Sequence, residues 1–159
     1  LTPWLNRFAT LAIIRTLSKA HALAGARVGA LLAHPELIEM ARRVIPPYSL
    51  AQSSVEAALQ ALAPDELAAA RSRVDAVLVE RDRLARGLAQ SPLVEKVWPS
   101  DANFLLIDCR DAEGFMAKSL AGGLIVRDVR AHESLPRSLR VSVGTRQQND
   151  ALLSCVGAA

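Results

Sequence analysis

The sequence predicts an α/β chain, and three observations carry that expectation. Short apolar runs of strand length alternate with stretches whose apolar residues recur at helical spacing. Aromatics make up only 4% of the chain, so Ala, Leu and Val must build the core, which favours helices. At 159 residues and 51% apolar content, the chain can bury a sizeable core as one domain, or as two halves sharing a core, and disorder is excluded.

Leu11 to Ile14 has the length of a buried strand, and Val28 to Ala33 is a second such run. Between them, residues 16–25 are a small-residue loop. His34-Pro35-Glu36 opens a helix, with Pro at its first position and an acid in its first turn. Leu37, Ile38, Met40, Ala41 and Val44 form its apolar face, and Pro46-Pro47 ends it. Ser49-x-x-Gln52 reads as a capping box for a helix over 50–62. Pro64-Asp65-Glu66 starts a long helix to about Gln90, with Leu67, Val74, Val77, Leu78, Leu84 and Leu88 on its apolar stripe. Arg71/Asp75 and Asp82/Arg86 are placed as ion pairs on its wet side. Such a helix is either a spine joining two lobes or a solvated surface helix.

After Ser91-Pro92 the texture becomes strand-rich. Val94 to Trp98, Asn103 to Ile107, Leu124 to Val126 and Leu139 to Val143 read as strands. Asp111 is placed to cap a helix that ends at Gly122-Gly123, where glycine suits the left-handed turn. Thr145-x-x-Gln148 is a second capping box, ahead of a terminal helix carrying Leu152, Leu153 and Val156.

Composition narrows the classes of function. Two cysteines, Cys109 and Cys155, are too few for a disulfide framework or a Cys-rich zinc site; they read as buried free thiols in a reducing compartment, the cytoplasm. No metal site is expected. Net charge is +3, and the arginines are scattered among acids, as in Glu80-Arg81-Asp82-Arg83. A nucleic-acid surface wants a basic stripe with interleaved aromatics, so none is expected. No uncharged apolar run reaches the ~18 residues of a membrane-spanning helix, and no basic-then-apolar leader is present. The sequence opens at Leu1 on an apolar stretch, which suggests a cut edge.

The chemistry concentrates in Thr16-Leu17-Ser18-Lys19-Ala20 and Gly25-Ala26-Arg27-Val28-Gly29. A lysine among small residues at a strand end is sterically open, and desolvation lowers an amine's pKa. A less protonated amine attacks a carbonyl to form a Schiff base. Thr16 and Ser18 offer hydroxyls, Arg27 offers a planar fork suited to phosphate, and Gly25 and Gly29 let backbone approach closely. These are the parts of a lysine–aldehyde site with a phosphate clamp beside it.

Ser/Thr-x-Ser-Lys followed by Gly-x-Arg-x-Gly, with the arginine eight residues after the lysine, resembles the cofactor-lysine signature of the fold-type I aminotransferases. The likeness runs on through Pro47-Tyr48-Ser49-Leu50, Ala102-Asn103-Phe104-Leu105, Ile125-Val126-Arg127-Asp128 and Leu139 to Arg146, so it covers nearly the whole chain in order. It is closest to the branch whose substrates are a phosphorylated amino alcohol and a 2-oxo acid. The resemblance implies pyridoxal 5′-phosphate as cofactor, with Lys19 joined to it and then moving the substrate's proton. Thr16, Ser18 and Arg27 would hold the cofactor's phosphate. Arg140 would grip the substrate's α-carboxylate and Arg127 the substrate's own phosphate. Arg27 as a structural cap, Arg140 as an ordinary strand-end residue and Arg127 paired with Asp128 or Glu133 are the competing readings. Asn103 either holds a turn or touches ligand, His21 either packs under the loop or serves as a base, and Tyr48 either packs or reaches a neighbouring subunit.

The resemblance also implies an organisation. Residues 1–63 would be the tail of a large cofactor domain, 64–90 the connecting helix and 91–159 a small α/β domain, in a homodimeric enzyme. The family's glycine-rich phosphate turn, ring-stacking aromatic and pyridine-pairing Asp do not occur here, so the chain reads as a C-terminal half with little or no turnover alone. The alternatives are a sister decarboxylase acting on threonine phosphate, another aminotransferase of the same fold, or a non-catalytic module that binds a partner through exposed apolar surface.

Overall fold

The structure is a computed structural model and describes residues 2–158. It is α/β, and it comprises two compact units, one running through Arg73 and one from Val74 on.

The first unit opens with a short 3-10 turn, Thr2–Asn6. Strands β1 (Ala12–Thr16) and β2 (Gly29–Ala33) pair antiparallel, with Ala12 opposite Ala33 and Thr16 opposite Gly29. Helix α1 (Pro35–Arg42) has Pro at its start, as its sequence predicts; Arg43 caps it, so it stops ahead of Pro46. Helix α2 (Gln52–Ala61) and the first turns of α3 (Pro64–Leu88) complete the unit.

Two expectations are corrected here. The Ser49-x-x-Gln52 capping box does not form, because the helix begins at Gln52 itself and Ala51 is its N-cap. Gln52 then occupies the first helical position rather than the third, and its amide donates to Glu56 Oε1 at 3.0 Å. The strands form, yet they are not buried: Ile14 is 81% exposed, and Leu31, Met40 and Val44 are exposed too. Among the described residues of this unit, only Ala58 and Ala70 are buried. Apolar burial contributes in proportion to the area removed from water, so this unit draws little from it within the chain.

The second unit holds the core. Its sheet has the order β3-β4-β6-β5, built from β3 (Val94–Val97), β4 (Phe104–Cys109), β5 (Arg127–Asp128) and β6 (Ser138–Ser142), every neighbour antiparallel. β4 alternates strictly, turning Leu105, Ile107 and Cys109 inward, and Leu105 and Ile107 pair with buried Val141 and Leu139. Against this face pack Leu84 and Leu88 of α3, Phe115 of α4 (Ala112–Ala121), and Leu152, Leu153 and Val156 in or just after α5 (Arg146–Cys155). Both cysteines are free: Cys109 is buried, Cys155 half-buried. Burial pushes the Cys109 thiol up to about 11.

Local signals explain the ends of these helices. Asp111 Oδ1 accepts from the Gly114 N–H at 2.8 Å, and the Thr145/Gln148 capping box is complete in both directions at 3.3 and 2.9 Å. After α4, Gly123 adopts φ +75°, its N–H reaches Leu120 O, and the Leu124 N–H reaches Ser119 O at 2.8 Å. This Schellman closure draws Leu124 into the helix terminus. The strand expected over Leu124 to Val126 therefore does not form, and the short β5 follows it at Arg127–Asp128.

The ion pairs of α3 also differ from expectation. Arg71/Asp75 and Asp82/Arg86 do not pair; Asp82 meets Arg81 at 3.2 Å, while Arg83 bridges Glu80 at 2.7 Å and Asp150 at 2.6 Å. Among the described residues, no helix is long and apolar enough to cross a membrane, and no cluster of His, Cys, Asp and Glu is placed to hold a metal ion.

Candidate active site

In the first unit the reactive loop hangs from the end of the β1–β2 pair. The ladder runs one step past Thr16 and Gly29, with the Leu17 N–H donating to Val28 O at 3.1 Å. Gly29 is needed there, because a Cβ would lie 2.8 Å from the Arg15 carbonyl oxygen. Beyond it the chain folds on itself: the Ala22 N–H reaches Lys19 O at 2.9 Å and the Leu23 N–H reaches Leu17 O at 3.1 Å. Ala22 and Arg27 both adopt φ +56°, a left-handed conformation that costs energy in any residue with a Cβ.

This path gathers Thr16, Ser18 and Arg27 at one end of the strand pair, since Ser18 and Arg27 each lie two residues from the paired Thr16 and Gly29. Thr16 Oγ1 donates to Ser18 Oγ at 2.8 Å and accepts from the Ser18 N–H at 3.1 Å. Arg27 spends one donor, Nη1, on Ala24 O at 3.2 Å. That is the local capping contact expected as its alternative role, and it leaves the rest of the guanidinium fork free to donate. Two adjacent hydroxyls and an arginine fork are a donor set that matches a phosphate. Lys19 is exposed and forms no ion pair among the described residues. The desolvation expected around it is thus not supplied by this chain. His21 is half-buried, and its Nδ1 has no hydrogen-bond partner among the described residues. Tyr48, at φ +58°, is fully exposed and does not pack within the chain. Two clefts of the unit, of about 580 and 570 Å³, lie around Pro35 and are not lined by Lys19.

In the second unit, Arg127 and Arg140 stand directly opposite each other across β5 and β6. Both are exposed, and neither has an ion pair among the described residues. Like charges facing across a ladder are unfavourable, and an anion shared between them removes that cost. The Arg140 guanidinium carbon lies 5.1 Å from the Phe104 ring centroid, which orients its plane. Of the two partners expected as alternatives for Arg127, Asp128 accepts from Arg130 at 2.9 and 2.7 Å, with Arg130 also meeting Glu113 at 2.8 Å, and Glu133 forms no ion pair among the described residues. The Asn103 backbone carbonyl accepts from the Val143 N–H at 2.9 Å, which extends the β4–β6 ladder one step past Phe104 and Ser142.

One cluster was not foreseen from sequence. Asn149, 2% exposed, joins Gly144 to Glu80, and Glu80 joins Arg83. The available signal was an amide on the same helical face as Leu152 and Leu153. Hydrogen bonds from Arg83 and then Asn149 hold the Glu80 carboxyl down at about 2, and Arg130 does the same for Asp128. Both carboxyls titrate below their ordinary values of 4.5 and 3.8, so their stabilisation is complete above those values and is lost as pH falls toward about 2. The urea midpoint is therefore expected to fall across that acid window, and Glu80→Gln to flatten part of the fall. An identical acid slope in Glu80→Gln contradicts the Glu80 contribution.

The comparisons with known proteins show the family and the fold. The chain belongs to the aminotransferase class I and II family, whose model matches residues 2–156. It is 45% identical over 152 residues to the histidinol-phosphate aminotransferase of Xanthomonas axonopodis pv. citri (strain 306), covering 96% of this chain and 42% of that protein. The chain thus spans less than half the length of the curated relatives it matches. Among solved structures, histidinol-phosphate aminotransferase from Clostridium acetobutylicum superposes with a TM-score of 0.85 at 19% identity, over 98% of this chain and 47% of that one. The Sinorhizobium meliloti enzyme, solved in complex with pyridoxal-5′-phosphate, gives 0.75 at 26% identity, over 93% and 40%. The fold expected from the sequence, the C-terminal part of a fold-type I transferase, is the fold of these neighbours.

Proposed function

We propose that the chain is the C-terminal part of a pyridoxal-phosphate-dependent aminotransferase that moves the amino group of L-histidinol phosphate to 2-oxoglutarate, in histidine biosynthesis. One observation carries the reading: the β1–β2 pair sets Thr16, Ser18 and Arg27 at the two ends of a single loop, with Lys19 next in line. The 45% identity to a curated relative of that name supports the choice of substrate.

When bound, pyridoxal phosphate supplies an electron sink for the carbanion at the substrate's Cα. The Thr16 and Ser18 hydroxyls and the Arg27 fork hold its phosphate. The Lys19 amine would hold its aldehyde carbon and, when free, would carry the proton of the substrate's Cα. Arg140 grips the α-carboxylate of 2-oxoglutarate in a bidentate pair, and Arg127, across the strand, takes the phosphate of histidinol phosphate. In this reading residues 1–63 are the tail of the large domain, 64–90 the connecting helix and 91–159 the small domain of a cytoplasmic homodimer.

The test is substrate choice by the full-length protein. With 2-oxoglutarate as acceptor, kcat/KM for L-histidinol phosphate is expected to exceed that for aromatic or aliphatic amino acids by at least about 10²-fold, since a site built for a phosphate penalises substrates lacking one. Release of carbon dioxide from threonine phosphate identifies the decarboxylase instead. Self-association without turnover on any of these identifies a non-catalytic module.

A further inference from the structure

The Asn149 carboxamide uses all the capacity it shows on two neighbours. Its Oδ1 accepts from the Gly144 N–H at 3.0 Å, and its Nδ2 donates to Gly144 O at 3.1 Å and to Glu80 Oε2 at 2.9 Å. One side chain therefore fastens both polar groups of a single residue's backbone. Gly144 lies two residues beyond the end of β6 and four beyond Arg140. The residue before it is also pinned, through the Val143 N–H to Asn103 O at 2.9 Å. Glu80 is itself held by the Arg83 guanidinium at 2.7 Å, and Arg83 by Asp150, the residue after Asn149, at 2.6 Å. The end of the arginine-bearing strand is thus tied to α3 and α5 together.

We propose that Asn149 is a positioning residue for substrate: through Gly144 it fixes the C-terminal end of β6, and so the direction in which Arg140 and its cross-strand neighbour Arg127 present their guanidinium groups to a substrate oxyanion. The inference rests on the reading of Arg140 as the carboxylate grip. Without the amide, a glycine with unusually wide backbone freedom is released at the strand end. Two half-buried backbone groups also lose their partners. A planar fork that recognises a carboxylate by two parallel bonds is sensitive to such a change of angle. The grip exists in the bound state and in the transition state alike, so its loss acts on KM rather than on kcat.

The experiment is steady-state kinetics of the full-length protein. Asn149→Ala is expected to raise KM for 2-oxoglutarate about tenfold, the scale of one or two lost hydrogen bonds, with kcat within about twofold. Glu80→Gln keeps an oxygen for Asn149 and weakens the Arg83 anchor, so a rise of about threefold is expected. Leu153→Ala thins the core under the same helix without touching Gly144, and is expected to lower Tm while leaving KM unchanged. Arg140→Lys calibrates the grip and is expected to raise KM more than any of these. If Arg140→Lys raises KM and both clamp variants leave it unchanged, the positioning role is overturned and the reading of Arg140 stands. If Arg140→Lys leaves KM unchanged, the reading of Arg140 and the inference fall together. A rise in Leu153→Ala equal to that in Asn149→Ala means general loosening and overturns the inference. Should Asn149→Ala not fold, Glu80→Gln decides by the same readout.

Discussion

Lys19→Ala in the full-length protein is expected to lower kcat by at least about 10³-fold, because it removes both the covalent partner of the cofactor's aldehyde and the proton carrier at the substrate's Cα. The same change should leave the fold intact. Lys19 is exposed, and its one recorded hydrogen bond, Lys19 O accepting from the Ala22 N–H, belongs to the backbone. Exposed substitutions of that kind shift stability by within about 0.5 kcal/mol. Activity and stability therefore separate at this position. The other two lysines provide the contrast. Lys96 sits with its ammonium 3.3 Å from the Trp98 ring centroid, and Lys118 lies on the exposed side of α4. Neither belongs to the loop, and alanine at either is expected to leave kcat within about twofold. A Lys19→Ala enzyme that keeps kcat within tenfold of the parent places the chemistry elsewhere.

The largest expected loss of stability lies at Phe115. Its ring is fully buried at the centre of the second unit's core, between the sheet and the helices. Phe115→Ala is expected to cost about 3–5 kcal/mol, combining lost transfer free energy with the cavity left behind. Because a domain's whole stability is only about 5–15 kcal/mol, this is enough to unfold much of the unit near body temperature. Urea denaturation followed by far-ultraviolet circular dichroism measures it as a lowered midpoint. A loss below about 1 kcal/mol means that the core collapses around the gap, against the packing described.

What the sequence made legible was what is decided locally. Asp111 and the Thr145/Gln148 box announced their helices because each cap satisfies backbone groups only three residues away. The reactive loop was legible because its parts fall within twelve residues and their spacing is distinctive. Ser49 and Gln52 carried the same local signal as Thr145 and Gln148, but the helix starts two residues later than the signal suggests, and the box does not close. Leu124 to Val126 looked like a strand by composition, yet Leu124 was needed to end α4. Features that depend on register or on distant partners were hidden. Arg127 and Arg140 each stood out, but not that they face each other across one ladder. Glu80 and Asn149 lie 69 residues apart, and no local pattern joins them. The short apolar runs placed β1 and β2 to within two residues but could not show that Ile14 stays 81% exposed within this chain.

Borohydride trapping shows whether this chain carries an organised lysine site for pyridoxal phosphate. The chain is mixed with pyridoxal phosphate, reduced, digested and mapped by mass spectrometry. Only Lys19, Lys96 and Lys118 compete as lysines. Dominant labelling at Lys19 is expected, suppressed when Arg27 is replaced by Ala, since the phosphate clamp then loses its charged member. Equal labelling of the three lysines, or a preference for Lys96 or Lys118, contradicts it.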